Sequence, residues 1–262
     1  MVQLKDWQIK KENGIYDKRN QINELTGKEW LFSTRSVKTK NYSFYFDILK
    51  ALEANYFDFI PGELISELIL TFSKSSGTII DPISNFGSIG LAVSKLKNNL
   101  LYYGFNHNQN SDIIREISNN RIYYEKENIY STSKQIRVES KANIFSELIF
   151  SSLDPESRKK QFLNFKSEII RSIELLESKN IVINYIILCV QNTKENFNYC
   201  YNSASLTTLM EKYSYNLKSE LIWKIPESVF LQITNYVRIQ KAISTNSYLL
   251  LNDKRILIYK KG

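Results

Sequence analysis

The segment Thr78-Ile79-Ile80-Asp81-Pro82 constrains this chain more than any other. A β-branched run reads as a strand, and the Asp-Pro step ends it, because proline has no N–H for a ladder and restricts the residue before it. A turn containing Asn85 and Gly87 follows, then a helical stretch from Gly90 to Leu96, then a second strand from Leu100 to Phe105. Strands alternating with helices imply a mostly parallel sheet with helices on both faces.

The alternation extends in both directions. Pro61 opens a helix with Leu64, Ile65, Leu68 and Ile69 on one face, ending before Gly77. Ile113 to Ile117 reads as helical, and the polar stretch 119–143 holds a strand signal near Ile129. Glu147 to Ser151 reads as a short strand, ended by Leu153-Asp154-Pro155. Phe162, Phe165, Ile169, Ile173 and Leu176 then recur at helical spacing. Ile181 to Val190 reads as a buried strand, Leu206 to Tyr213 as a helix and Lys218 to Trp223 as a strand. Ser247 to Leu251 and Arg255 to Tyr259, joined at Asn252-Asp253, read as an antiparallel hairpin. The expected fold is α/β and Rossmann-like, with a mostly parallel sheet of about seven strands closed by that hairpin. Residues 1–21, charged and containing Gly14, read as a flexible arm, and 22–262 as a single domain.

Composition narrows the classes. At 262 residues and 43% apolar, the chain supports a sizeable core. Lys plus Arg number 35 against 27 for Asp plus Glu, a net +8. That excess favours a polyanionic partner, although a Lys-, Asn- and Ile-rich composition alone also makes a basic protein. Two cysteines, Cys189 and Cys200, and one histidine, His107, argue against a metal site and against a disulfide framework. With a polar start from Met1 to Gly14, they lead to the expectation of a cytoplasmic protein. The longest apolar run, Ile181 to Val190, is interrupted by Asn184 and is too short to span a bilayer, so no membrane partner is expected.

Six segments resemble, in order and spacing, the bacterial N4-cytosine/N6-adenine DNA methyltransferases, from about residue 22 to the C-terminus. Asn23-Glu24-Leu25-Thr26-Gly27-Lys28-Glu29-Trp30 looks like their entry segment, and Phe59-Ile60-Pro61-Gly62-Glu63-Leu64 is similar to the helix start before the cofactor strand. Thr78 to Ser88 resembles the cofactor motif Asp-Pro-Phe-x-Gly-x-Gly-Thr, and Tyr103 to Asn108 falls where Gly-x-Glu/Asp-x-Asn-Pro belongs. Leu148 to Ser152 looks like the strand delivering the catalytic Asp/Asn/Ser-Pro-Pro-Tyr, and Ser247 to Lys261 is similar to the terminal hairpin. The resemblance implies a class I fold and S-adenosylmethionine as cofactor, with Asp81, Pro82, Asn85, Gly87, Ser88 and Asn106 at its site.

Several of those positions depart from the motifs. Asn85 stands where the first glycine belongs; asparagine tolerates the left-handed region, but its side chain intrudes on ligand volume. Asn106 replaces the acid that accepts both ribose hydroxyls, and an amide offers one acceptor oxygen and no charge. The catalytic tetrapeptide has two registers, one beginning at Ser152 and one at Asp154-Pro155, and neither ends in an aromatic on which a flipped base would stack. Ser-Ser-Leu-Asp-Pro also reads as a plain helix entry with an Asp or Ser cap. Weak or absent cofactor binding is therefore expected. Arg35, Lys38 and Lys40, followed by Tyr42, Phe44, Tyr45 and Phe46, form a basic-aromatic stretch suited to phosphates or to a protein interface. Arg158, Lys159 and Lys160 form a second basic cluster.

Three functions compete at this level. One is a non-catalytic methyltransferase-like subunit that binds nucleic acid, DNA rather than RNA, or completes an active methyltransferase partner, another complex subunit or a second copy of itself. The second is an active, divergent DNA amino-methyltransferase. The third is a purely structural component of a restriction or phage-defence complex.

Overall fold

The computed structural model describes residues 4–20, 22–33, 37–38, 42–43, 45, 60–106, 121–125, 128–129, 138, 140–150, 154–195, 198–224 and 253–262. In chain order its elements are β1 (Gln8–Lys11), β2 (Gly14–Asp17), α1 (Gly27–Ser33), β3 (Val37–Lys38), α2 (Gly62–Phe72), β4 (Thr78–Asp81), α3 (Ser88–Lys95), β5 (Leu101–Gly104), β6 (Ile122–Tyr124), β7 (Lys141–Glu147), α4 (Pro155–Ser178), β8 (Val182–Val190), β9 (Thr193–Glu195), β10 (Asn198–Cys200), α5 (Asn202–Lys212), β11 (Tyr215–Lys224) and β12 (Asp253–Lys261).

Eight strands form the main sheet among the described residues, in the order β3-β11-β12-β8-β7-β4-β5-β6. Every neighbouring pair is parallel except the two that β12 makes, so a single strand runs against the rest. This is the α/β, Rossmann-like, mostly parallel arrangement with a closing antiparallel pair that the sequence predicts. Thr78–Asp81 lies inside the sheet, flanked by β5 and β7.

The period-2 alternation of strand side chains divides the core into two layers. Ile79, Phe145, Ile187 and Ile256 pack with Leu64, Ile65 and Leu68 of α2 and Ile89 of α3. Their chain neighbours Ile80, Ile144, Ile186 and Leu257 face the other way, against Phe165, Ile169 and Ile173 of α4 and Leu206 and Met210 of α5. Each such side chain removed from water contributes about 1.5–3 kcal/mol.

Four details differ from the sequence expectations. The sheet has eight strands rather than seven, because the two-residue β3 adds to the edge of β11. The strand expected at Glu147–Ser151 is instead Lys141–Glu147; Leu148, Ile149 and Phe150 are buried but lie past its end, and only the Leu148 amide reaches back, to Cys189 O at 2.9 Å. The antiparallel partners of Arg255–Tyr259 are β11 and β8, which occupy both of its edges. Ile129 sits in a turn, and the outer strand is Ile122–Tyr124. Ser247–Leu251 and the helix expected at Ile113–Ile117 lie outside the described residues.

In the segment read as an arm, β1 and β2 pair as an antiparallel hairpin, and Tyr16 is buried. Among the described residues no helix is long and apolar enough to cross a membrane. Nor does any group of three His, Cys, Asp or Glu side chains there suit a metal ion. No disulfide joins Cys189, which is buried, to Cys200, which is half-buried.

Candidate functional site

In an open parallel sheet, ligands bind beyond the carboxyl ends of the strands. Here that end collects the loops after β4, β5 and β7. The loop after β4 turns through Asn85, with φ 46°, and Gly87, with φ 92°, before α3 begins at Ser88. Asparagine thus adopts the left-handed conformation that a glycine would supply. Its Nδ2 donates to Ile83 O at 3.2 Å and to Glu147 O at 3.1 Å, tying the loop to the end of β7. Gly87 N donates to Ser84 O at 2.7 Å, which completes the turn.

Asp81 ends β4 and is 1% exposed. Its Oδ1 accepts from Ser146 Oγ at 2.7 Å and its Oδ2 from Tyr102 Oη at 2.9 Å. Burial pushes its carboxyl up to about 7, against the lowering effect of Ser146, Tyr102 and the Ile83 amide. The same burial, reinforced by the Asp81 charge, holds the Tyr102 phenol well above its ordinary value. Beside it Tyr124 donates to Gly87 O at 3.2 Å, and the Tyr102 and Tyr124 rings meet edge to face with centroids 5.3 Å apart. Two glycines make room for this pair. A Cβ on Gly90 would overlap Tyr124 Oη, and one on Gly104 would lie 2.7 Å from Tyr102 Oη.

Asn106, after β5, has φ 49° and turns its amide inward. Nδ2 donates to Pro82 O at 2.9 Å and to Glu168 Oε2 at 3.2 Å, so the position that holds ribose in the resembling family here clamps the β4 loop to α4. Glu168 is itself buried and paired with Arg171 at 2.6 Å.

The residue that sequence reasoning missed is Glu147. It closes β7, is 2% exposed, and reaches the α3 N-terminus, where Ser88 Oγ donates to its Oε2 at 3.0 Å; the Ile60 amide, at the entry to α2, donates to Oε1. Burial raises its carboxyl to about 8, with Asp81 adding to the effect and Lys254, Ser88 and Ile60 opposing it. Lys254 is 1% exposed, and its Nζ has no hydrogen-bond partner among the described residues. Because β7 stops at 147, the four residues at its end are Glu147-Leu148-Ile149-Phe150, an acid first and an aromatic last. Phe150 is covered, with the Arg158 guanidinium 5.6 Å from its ring centroid. The available signal was a lone carboxylate inside the apolar run Ile144–Phe150.

The other expected site residues are placed as follows. Asp154 is the N-cap of α4, its carboxylate accepting from Ser157 N at 2.8 Å, with Pro155 in the first turn. Those hydrogen bonds hold its carboxyl below the usual range. Ser152 lies outside the described residues, as do Arg35, Lys40 and His107. Lys38 was expected to meet phosphate, but it is 4% exposed, with Nζ bonded to Ser33 O at 2.7 Å and paired with Glu67. Tyr42 donates to the same carboxylate at 3.1 Å, so this piece of the basic-aromatic stretch is core. Lys159 and Lys160 are exposed on the first turns of α4.

No family model matches the chain, and no curated protein matches it. Solved structures do. TrmN from Thermus thermophilus superposes with a TM-score of 0.45 at 11% identity over 78% of this chain, which spans 49% of that one. A SAM-dependent methyltransferase from Archaeoglobus fulgidus gives 0.44 at 15% identity, covering 82% of this chain and 100% of that one. Magnesium protoporphyrin IX methyltransferase from Synechocystis, with bound SAM, gives 0.38 at 10% identity, covering 72% of each chain.

Proposed function

We propose that this chain is a methyltransferase-like protein, of the kind that modifies DNA on exocyclic amines, whose ligand end is closed by its own side chains. It acts as a nucleic-acid-binding or scaffolding subunit of a modification or defence complex. One observation carries this reading: the polar groups at the carboxyl end of the sheet are bonded to one another. Asp81 is held by Ser146 and Tyr102, Asn85 by Glu147 O, Asn106 by Pro82 and Glu168, and Glu147 by Ile60 and Ser88. As they stand, these residues do not fit S-adenosylmethionine, since a ligand would have to break several buried hydrogen bonds at about 1–3 kcal/mol each. Calorimetric titration with S-adenosylmethionine tests the reading. Weak binding, above about 100 μM, is expected, and a low-micromolar Kd overturns it.

A second reading has its own observation. An acid followed three residues later by an aromatic, at the end of β7, resembles the catalytic tetrapeptide of the DNA amino-methyltransferases, with Leu148 and Ile149 in place of the prolines. An active enzyme of this kind would require Glu147 to leave Ile60 and Ser88. Transfer of labelled methyl to DNA that disappears in Glu147→Gln would establish it.

A further inference from the structure

A cleft of about 860 Å³ opens at the opposite end of the strands, where β4, β5 and β7 begin and β12 ends. Lys74, Lys141 and Lys260 line it together with Asn99, Asn184 and Ser140. None of the three lysines has a carboxylate within ion-pair distance among the described residues, and no Asp or Glu is among the described lining residues. In a chain with 27 acidic residues, a cleft whose described lining charges are all of one sign concentrates field there rather than cancelling it. We propose that this cleft binds the phosphodiester backbone of a nucleic acid. The proposal rests on the nucleic-acid part of the reading above and moves the contact away from Lys38.

The lining favours backbone over peptide. Phe72 and Tyr185 border the cleft but are each only 7% exposed, so the large aromatics that anchor protein–protein contacts are covered, while Ile22, Leu101 and Val138 offer half-buried aliphatic surface. Lys74, Lys141 and Lys260 with Asn99, Asn184 and Ser140 add accessible ammonium, amide and hydroxyl groups, the set that contacts phosphate and sugar. The walls are firm. Asn143 donates to Phe72 O at 3.0 Å and to Ser73 Oγ at 2.6 Å, and accepts from Tyr185 N at 3.1 Å. One of these bonds satisfies a carbonyl at the C-terminus of α2, an end that would otherwise repel an anion. The Lys260 ammonium lies 5.6 Å from the Tyr185 ring centroid, which steadies its stem at the cleft.

Position adds a consequence. Thr78, which lines the cleft, stands three residues from Asp81 along β4, roughly 10 Å of strand. A nucleic acid seated here does not present a base to Glu147 or to the α3 N-terminus. The chain holds the polymer without being the subunit that modifies it.

The test is fluorescence anisotropy of labelled single- and double-stranded 20-mers against salt, using the full chain. Comparison is between wild type, the Lys74→Ala/Lys141→Ala/Lys260→Ala triple, the corresponding triple Gln variant, which keeps the packing stems, and an Arg158→Ala/Lys159→Ala/Lys160→Ala control. Both cleft triples are expected to weaken binding by about tenfold or more near 100 mM salt and to lower the log–log salt slope by two to three, roughly one per lost phosphate contact. The α4 control is expected to keep the slope. If wild type binds and both cleft triples retain its slope, the cleft is not the contact, while the nucleic-acid reading survives. Absence of any binding by wild type overturns both. ATP bound as tightly as the oligonucleotide assigns the cleft to a free nucleotide, and polyglutamate of equal charge bound equally well makes it a non-specific anion surface. Either result overturns the backbone assignment.

Discussion

Replacing Glu147 with Gln makes the sharpest statement about the ligand end. The introduced side chain is isosteric with the protonated acid: its oxygen can accept from Ile60 N, and its amide can donate toward Ser88 Oγ. A carboxyl whose value rises on folding binds its proton more tightly in the native state, so stability is fully present below the unfolded value and is lost as pH rises through the folded one. For Glu147 that window runs from an ordinary 4.5 to about 8. At about 1.4 kcal/mol for each pH step, the wild type should lose roughly 5 kcal/mol of stability across it through this one group, an upper bound because water entry would relieve the charge. Asp81, raised from 3.8 to about 7, gives the same sign and is common to both proteins. The assay is urea denaturation at intervals from pH 4.5 to 9. Near pH 5 the two proteins should have similar stability, and by pH 9 Glu147→Gln should be the more stable by several kcal/mol. Curves that stay parallel across the whole range would refute the assignment of a neutral, buried acid.

Further outcomes follow from the packing. Asp154→Ala should remove the N-cap of α4 and lower Tm slightly, with no effect on ligand binding. Lys38→Met should leave Glu67 with the Tyr42 hydroxyl but no counter-charge and cost roughly 2–4 kcal/mol in urea denaturation, while leaving the salt slope of nucleic-acid binding unchanged. Gly90→Ala should destabilise by about 2 kcal/mol or more, because its methyl overlaps the Tyr124 hydroxyl, and combining it with Tyr124→Phe should recover part of the loss.

Much of the scaffold is legible in the sequence because one-dimensional patterns report it. Thr78–Ile80 and Ile181–Val190 are apolar and bounded, and Phe165, Ile169, Ile173 and Leu176 keep helical period to the core. The ligand end is less legible, for a physical reason. A strand and a buried loop both need apolar side chains, so Ile144 to Phe150 carries no mark where the ladder stops. Ser146 and Glu147 read as a polar boundary, yet both point inward, to Asp81 and Ser88. Lys38 shows the converse: a lysine in a basic stretch reads as surface, but Glu67, 29 residues away in sequence, supplies the counter-charge that makes its burial tolerable. Pairing across long separations leaves no local trace. The final strand likewise has its ladder on β11 and β8.

That reversed strand sets the order in which the sheet can be completed. β12 lies between β8 and β11, both of which precede it in sequence, and it is the ladder that joins β11 to β8. Until Asp253–Lys261 arrives, β8 and β11 each present an open row of amides and carbonyls to solvent and to other chains. Its residues must find partners from Ile186 to Val190 and from Tyr215 to Lys224, contacts of high sequence separation that slow folding. A chain with two such open edges before its last strand docks is exposed to association with other copies, so yield on refolding should fall with protein concentration.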